Sequence, residues 1–342
     1  MRYLPSLTPL RGIAALFVVL LHLTRGGADQ SVPAFLLRGY LGVDLFFILS
    51  GFVLTHIYVQ DFLAGPSWRD IAAFLWARVA RIYPVHVFIL AVLILGGAAQ
   101  GVPRLVVLQN FLLLLVPWPV AVINPFAWSL SAEWYAYLLF PFMVGWLWRC
   151  DGRLTAILCV ALLLGLGIFA AISDFGAVRY LMLARALPEF IIGVVTYRAF
   201  SDRNLARHWQ SDASFVAVAA ALAVAVALVP HDDVVVVALF PLLLLAAVSN
   251  GGAATRLLNA RPLRWLGDIS YSVYLGQAPA LSVALILSTT WLGPQLGLTG
   301  LRVVAVAATL AIATLVHRTI EVPCRDLLRR APDQLRRLAT RA

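Results

Sequence analysis

The sequence predicts an all-α protein, a polytopic transmembrane helical bundle of about ten spanning helices, with eleven as the open variant. Three observations carry this reading. Of 342 residues, 62% are hydrophobic and 12% are charged, about half the charge fraction of an ordinary soluble domain. Apolar runs long enough to cross a bilayer recur along the whole chain. All 26 basic residues are arginine, and they gather at the ends of those runs and in short connections, where membrane orientation accounts for them.

In chain order the runs read 9–24, 40–60, 71–98, 128–148, 154–173, 180–200, 213–230, 233–249, 268–290 and 300–320. The stretch 104–123 is apolar but broken by Pro103, Pro117 and Pro119. Arg69, Arg78 and Arg81 precede or open the third run; Arg149 and Arg153 bracket one connection, Arg198, Arg203 and Arg207 occupy another, and Arg256, Arg261 and Arg264 a third. Placing these groups on the cytoplasmic side, together with the arginine-rich tail after His317, obeys the positive-inside rule only if 104–123 does not cross fully. The Asp232–Asp233 turn and the uncharged turn near 291–299 then lie outside, and both termini lie inside. The expected location is the inner or plasma membrane, with multiple passes. Residues 1–324 read as one transmembrane domain, and 325–342 as a basic cytoplasmic tail lying on the anionic inner leaflet. Eleven spans would put the N-terminus outside.

Composition also removes some functions. The net charge of +10 invites a nucleic-acid partner, but its placement at segment ends answers to lipid instead. Cys150, Cys159 and Cys324 lack metal-ligand spacing, and their odd number does not complete a disulfide framework; no metal is expected. No small-residue cleavage site follows the first apolar run, so no removable leader is expected.

Polar groups inside the runs carry the chemistry, because ionisable side chains at that depth are costly and mark function by default. Arg11 and His22 are eleven residues apart on the first helix, about three turns, so they point in nearly the same direction roughly 16 Å apart. A helix-packing histidine bonded to a backbone carbonyl is the plainer alternative for His22. Asp44 opens the second run in G-V-D-L-F-F-I-L-S-G-F; it either orients an imidazole or simply starts a helix. Ser50 and Gly51 are small enough to let helices approach closely. In A-R-V-A-R-I-Y-P, Arg78 and Arg81 stand at i and i+3, hence on one face beside Tyr83. Two adjacent guanidiniums suit a phosphate between them, and orientation charge is the rival reading.

Glu133 sits among Trp, Ser and Tyr side chains in W-S-L-S-A-E-W-Y, with Ser129 and Ser131 near enough in sequence to serve it. Arg185 and Glu189 are four apart, a helical ion pair with a structural role, and Pro188 between them can free backbone groups to line a cavity. Glu321, four residues after His317 and just before Val322-Pro323, reads as a charge clamp at a helix end.

Taken together these motifs resemble the acyltransferase-3 family of integral membrane acyltransferases. The resemblance runs from Leu7 to about Arg325 through L-R-G-I-A-A-L-F-V-V-L-L-H, G-V-D-L-F-F-I-L-S-G-F, R-V-A-R-I-Y-P, W-S-L-S-A-E, L-P-E-F-I-I-G, I-S-Y-S-V-Y-L and I-E-V-P-C-R. It implies ten membrane helices and transfer of an acyl group, usually acetyl, from cytoplasmic acyl-CoA to a hydroxyl of a carbohydrate, glycolipid or similar acceptor. By the same resemblance the family's essential histidine matches His22, its first-helix arginine Arg11, its paired arginines Arg78 and Arg81, and its carboxylate Glu133. Trp134 stands where relatives carry a second acidic residue, and Gln277 where a histidine is common, so a second catalytic histidine there is not expected.

The implied assignment is catalytic for His22 and Glu133, and substrate-binding for Arg11, Asp44, Arg78, Arg81, Tyr83 and Ser131. Arg185, Glu189 and Glu321 are supporting. Acyl-CoA serves as donor with no permanently bound cofactor, and the motifs need only one chain. His22 acts either as general base on the acceptor hydroxyl or as a covalent acyl carrier. The alternative is a carrier for an anionic or sugar-containing substrate, which two related halves would favour; the sequence has no such symmetry.

Overall fold

A computed structural model describes residues 4–25, 33–118, 120–172, 182–228, 233–287 and 293–339. Among them every regular element is helical. In order these are α1 (Leu7–Arg25), α2 (Ala34–Leu37), α3 (Leu41–Phe62), α4 (Trp68–Leu95), α5 (Arg104–Phe111), α6 (Ala127–Arg149), α7 (Gly152–Ile172), α8 (Met182–Ser201) and α9 (Arg203–Ala206). A 3-10 turn at Arg207–Trp209 leads to α10 (Asp212–Leu228), α11 (Asp233–Ser249), α12 (Ala253–Leu258), α13 (Arg261–Asp268), α14 (Ser270–Leu275), α15 (Gln277–Leu287) and α16 (Gly293–Val316). A π-helical turn, His317–Glu321, joins α16 to α17 (Val322–Ala339).

The described part of each of the ten apolar runs is mainly helical. By length and composition alone five described helices suffice to cross a membrane, and a sixth arises if the pair Arg203–Trp209 and Asp212–Leu228, bent by 74°, counts as one. The run 268–290 is broken at Gly276, between α14 and α15. Residues 173, 180–181, 229–230 and 288–290 of the expected runs, Asp232 of the turn expected outside, Pro119, 291–292 and the last three residues of the tail lie outside the described residues.

The chain divides into two compact units, Met1–Pro66 with Leu139–Ser270, and Ser67–Leu138 with Tyr271–Ala342. In the first, α3 and α8 touch backbone to backbone. A Cβ on Gly51 would lie 2.0 Å from the Phe190 carbonyl oxygen, and one on Gly193 would lie 2.0 Å from that of Ile48. Small residues permit such a crossing, as the sequence suggested for Gly51. Ile48, Leu49, Phe52, Ile192, Val236 and Leu244 form the buried core around it. On α1, a Cβ at Gly12 would come within 2.6 Å of the Gly267 nitrogen, so α1 and α13 also meet at their backbones. The outer face of α7 exposes Ile157, Val160, Leu164 and Ile168, an apolar stripe that only lipid or another apolar surface can cover.

In the second unit, Ser67 starts α4 by accepting the Asp70 N–H at 3.1 Å, a normal N-cap. The troublesome stretch 104–123 resolves into α5, eight residues or roughly 12 Å of helix, followed by irregular chain. Leu113, Leu115 and Val116 there are buried, yet irregular backbone inside protein must find partners for its amides. Three side chains supply them. Asn110 donates to the carbonyls of Val106 and Ala121 and accepts the Ile123 N–H. Ser131 accepts from the amides of Leu115 and Val116 and donates to the Leu113 carbonyl. Asn124 accepts the Phe126 N–H and donates to the Leu275 carbonyl. The stretch is a pinned loop, not a spanning helix.

Candidate active site

α1 is one unbroken helix, so Arg11 and His22 share it as the sequence required. His22 Nδ1 lies 2.7 Å from the Val18 carbonyl oxygen, one turn back. A carbonyl can only accept, so Nδ1 carries the proton and the lone pair of the neutral ring sits on Nε2. The backbone bond that made His22 look merely structural therefore also sets its tautomer.

Among the described residues Asp44 pairs with a guanidinium, not with an imidazole. Both its oxygens are taken by Arg185, Nε to Oδ1 at 2.5 Å and Nη2 to Oδ2. Glu189, the partner suggested by sequence spacing, is also paired with Arg185, its Oε1 lying 3.7 Å from Nε, so the guanidinium serves two carboxylates. All three side chains are buried. The Tyr40 ring faces the Arg185 guanidinium at 5.9 Å, and its hydroxyl donates to Asp233 Oδ2 at 2.8 Å. Arg38 Nη2 donates to the other Asp233 oxygen at 2.9 Å. A chain of five polar groups thus crosses the first unit from Arg38 to Asp44. Arg38, Tyr40 and Asp233 escaped the sequence reading because their pairings span more than 190 residues.

The second unit holds two further groups. Arg78 is buried, its guanidinium 5.6 Å from the Phe74 ring and 5.9 Å from the Tyr137 ring, distances at which a cation is attracted to an aromatic face. Tyr137 donates to Glu133 Oε1 at 2.5 Å, so one tyrosine serves both the arginine and the carboxylate. Its position four after Glu133, one turn on, was the available signal.

Arg81 donates to Glu321 Oε1 at 2.6 Å and lies 5.4 Å from the Tyr271 ring. The other Glu321 oxygen accepts Ser272 Oγ at 2.7 Å and His317 Nδ1 at 3.0 Å. The π turn carries both His317 and Glu321; such turns recur at functional positions. Ser272 and Tyr271 belong to I-S-Y-S-V-Y-L, which sequence reasoning had treated only as a family marker.

Ser131 is wholly engaged in pinning the loop 113–116. The Tyr83 ring packs edge-on against Trp134 at 5.9 Å, the tryptophan that replaces the second acidic residue. Gln277, where a histidine is common, is buried and donates to the Tyr274 carbonyl at 2.7 Å. Among the described residues no three His, Cys, Asp or Glu side chains gather as a metal ion would need.

These features define a class, an all-helical membrane protein whose arginines, carboxylates and histidines are held inside apolar walls. A family model described as an acyltransferase domain, Acyl_transf_3, matches residues 4–318. The chain belongs to this family and is an acyltransferase. Among its relatives, Acyltransferase MdmB of Streptomyces mycarofaciens is 30% identical, over 96% of this chain and 94% of that protein. Peptidoglycan O-acetyltransferase OatA of Listeria monocytogenes is 25% identical over 95% of this chain, which spans 56% of that protein's length. O-acetyltransferase OatA of Staphylococcus aureus is 27% identical over 43% of this chain and 25% of its own length. No solved structure matches.

Proposed function

We propose that the protein is an integral-membrane O-acyltransferase that moves an acyl group, acetyl in the first instance, from cytoplasmic acyl-CoA to a hydroxyl of a carbohydrate, glycolipid or related cell-envelope acceptor. Family membership and the two relatives named O-acetyltransferases support the class of reaction. The observation that carries the mechanism is the His22 ring, whose Nδ1–H is committed to the Val18 carbonyl.

In this reading His22 Nε2 takes the proton of the acceptor hydroxyl as its oxygen attacks the thioester carbonyl. The carbon–sulfur bond breaks, and the departing thiolate of CoA takes up the proton, leaving an ester and a thiol. If acceptor and donor reach the histidine from opposite faces, Nε2 instead attacks the thioester carbonyl, and the carbon–sulfur bond breaks to release the CoA thiolate. The acceptor hydroxyl then attacks the acyl-imidazolium, the carbon–nitrogen bond breaks, and the hydroxyl proton passes to Nε2 and on to water, which supplies the proton of the thiol. Glu133 is the carboxylate assigned to orient the acceptor or to balance the imidazolium charge. Arg11, Arg78, Arg81 and Tyr83 are assigned to binding of acyl-CoA, the arginines to its phosphates, on the strength of the sequence motifs. Asp44, Arg185 and Glu189 are assigned to holding α3 and α8 together, Ser131 to holding the loop, and Glu321 to setting Arg81.

Ten spans in the cell membrane with both termini cytoplasmic, a transmembrane domain over 1–324 and the basic tail against the inner leaflet complete the proposal. Arginine placement supports that orientation.

The test is turnover of radiolabelled acetyl-CoA by protein reconstituted in lipid nanodiscs, read as release of free CoA. The unaltered protein is expected to release CoA. The His22→Ala variant should fall by about 10²–10⁴-fold, the usual worth of general-base help, with an unchanged melting profile. A folded His22→Ala protein that retains turnover removes the histidine from the mechanism; no CoA release from unaltered protein removes acetyl-CoA as the donor.

A further inference from the structure

The Glu321 side chain is 1% exposed, yet it takes donors from three separate elements. Arg81 of α4 holds Oε1 at 2.6 Å. Ser272 of α14 and His317 of the π turn hold Oε2 at 2.7 and 3.0 Å. A carboxylate accepts, so His317 Nδ1 carries a proton and donates it here whatever the charge of the ring. Local backbone chemistry brings these two side chains together. Pro323 has no N–H for the carbonyl of Thr319, four residues back, and the Val322 N–H goes instead to the carbonyl of His317, five back. The π turn thus carries Glu321 and one of its donors as a pair that does not depend on α4.

Arg81 is the donor able to leave. Its side chain is 20% exposed, and a guanidinium has five N–H groups to offer. It lies 5.4 Å from the Tyr271 ring, which is anchored by its hydroxyl to the Ile82 carbonyl at 2.6 Å. Leaving an aromatic face breaks no hydrogen bond. A buried ion pair resists opening because the carboxylate is stranded when its cation departs. Glu321 is not stranded: Oε2 keeps the Ser272 and His317 donors, and water following the anion from the exposed side can reach Oε1.

We propose, resting on the assignment of Arg81 to acyl-CoA, that Arg81 passes from Glu321 to a phosphate of the donor when it binds. His317 is the positioning residue that permits the exchange, by keeping Glu321 bonded while the guanidinium is away.

The test is equilibrium binding of radiolabelled CoA to the full chain in lipid nanodiscs, beside steady-state turnover of acetyl-CoA. Unaltered protein is expected to bind CoA, and Arg81→Leu to bind it more weakly. Failure of either expectation removes the donor assignment, and the exchange with it. His317→Phe keeps a ring and deletes the donor. It should weaken CoA binding by about tenfold, as for one hydrogen bond to a charged group, and raise the apparent KM for acetyl-CoA with kcat unchanged. His317→Gln, whose amide can donate across the same i, i+4 spacing, should restore most of the loss. In Glu321→Gln protein, where no charge is left to strand, His317→Phe should add nothing. If His317→Phe melts below the unaltered protein, His317→Met, more adaptable in shape, takes its place. CoA bound as tightly after His317→Phe as before, or weakened equally in the Glu321→Gln background, overturns the exchange while the donor assignment stands.

Discussion

Arg185 in the first unit and Arg81 in the second each donate to a carboxylate remote in sequence, Asp44 in one case and Glu321 in the other. Their surroundings differ. The Arg185 and Asp44 side chains are 2% and 0% exposed, with both Asp44 oxygens committed to a single guanidinium. Arg81 is 20% exposed, and its Glu321 partner is shared with Ser272 and with His317, itself 17% exposed. A fully dry pair cannot exchange its partner for a ligand, because separating the charges leaves each stranded. A pair open on one side can yield its arginine to an incoming anion and keep the carboxylate satisfied through its other donors. The contrast teaches that arginine–carboxylate pairing alone says little about role; solvent access and the number of spare donors decide it.

The sharpest way to break this contrast is Arg185→Met. Removing one partner of a buried pair costs about 3–5 kcal/mol, so this variant should lose most of its margin against thermal unfolding in nanodiscs. A melting temperature within a degree or two of the parent would show the first cluster to be dispensable. Glu321→Gln should cost less, about 1–2 kcal/mol after allowance for rehydration of Arg81. It should also raise the apparent KM for acyl-CoA while leaving kcat nearly unchanged; a stability loss as large as that of Arg185→Met would erase the distinction. Smallest in its effect on turnover is Ser131→Ala, which removes the partner of two loop amides and of the Leu113 carbonyl and should cost about 1 kcal/mol for each bond not rescued by water. It should speed hydrogen exchange at Leu115 and Val116, and unchanged exchange would dismiss the hydroxyl as the pin.

Much of this was legible beforehand, for physical reasons. Long apolar runs bounded by arginines locate helices because the bilayer penalises any backbone that is not internally bonded. The failure of 104–123 as a spanning helix was visible in its prolines, which remove donors and end helices. Single-helix relations such as Arg11 with His22 follow from a fixed rise per residue. Pairings between helices were not legible. Asp44 does stand in the first turn of α3, as expected, but nothing local shows that Arg185, 141 residues later, will meet it. Glu189, at the favoured spacing, does pair with Arg185, but the shorter bonds go to Asp44. Ser131 looked like a ligand for substrate because a serine in a motif gives no sign of which backbone it will serve.

The pinned loop has a consequence for biosynthesis. Asn124 donates to the carbonyl of Leu275, 151 residues farther along the chain. When the translocon releases the segment around Asn124, the ribosome has not yet made that acceptor. The amide must stay hydrated, or borrow a temporary partner, until α14 arrives. The loop therefore matures late, and the order in which segments leave the translocon sets when the second unit can close.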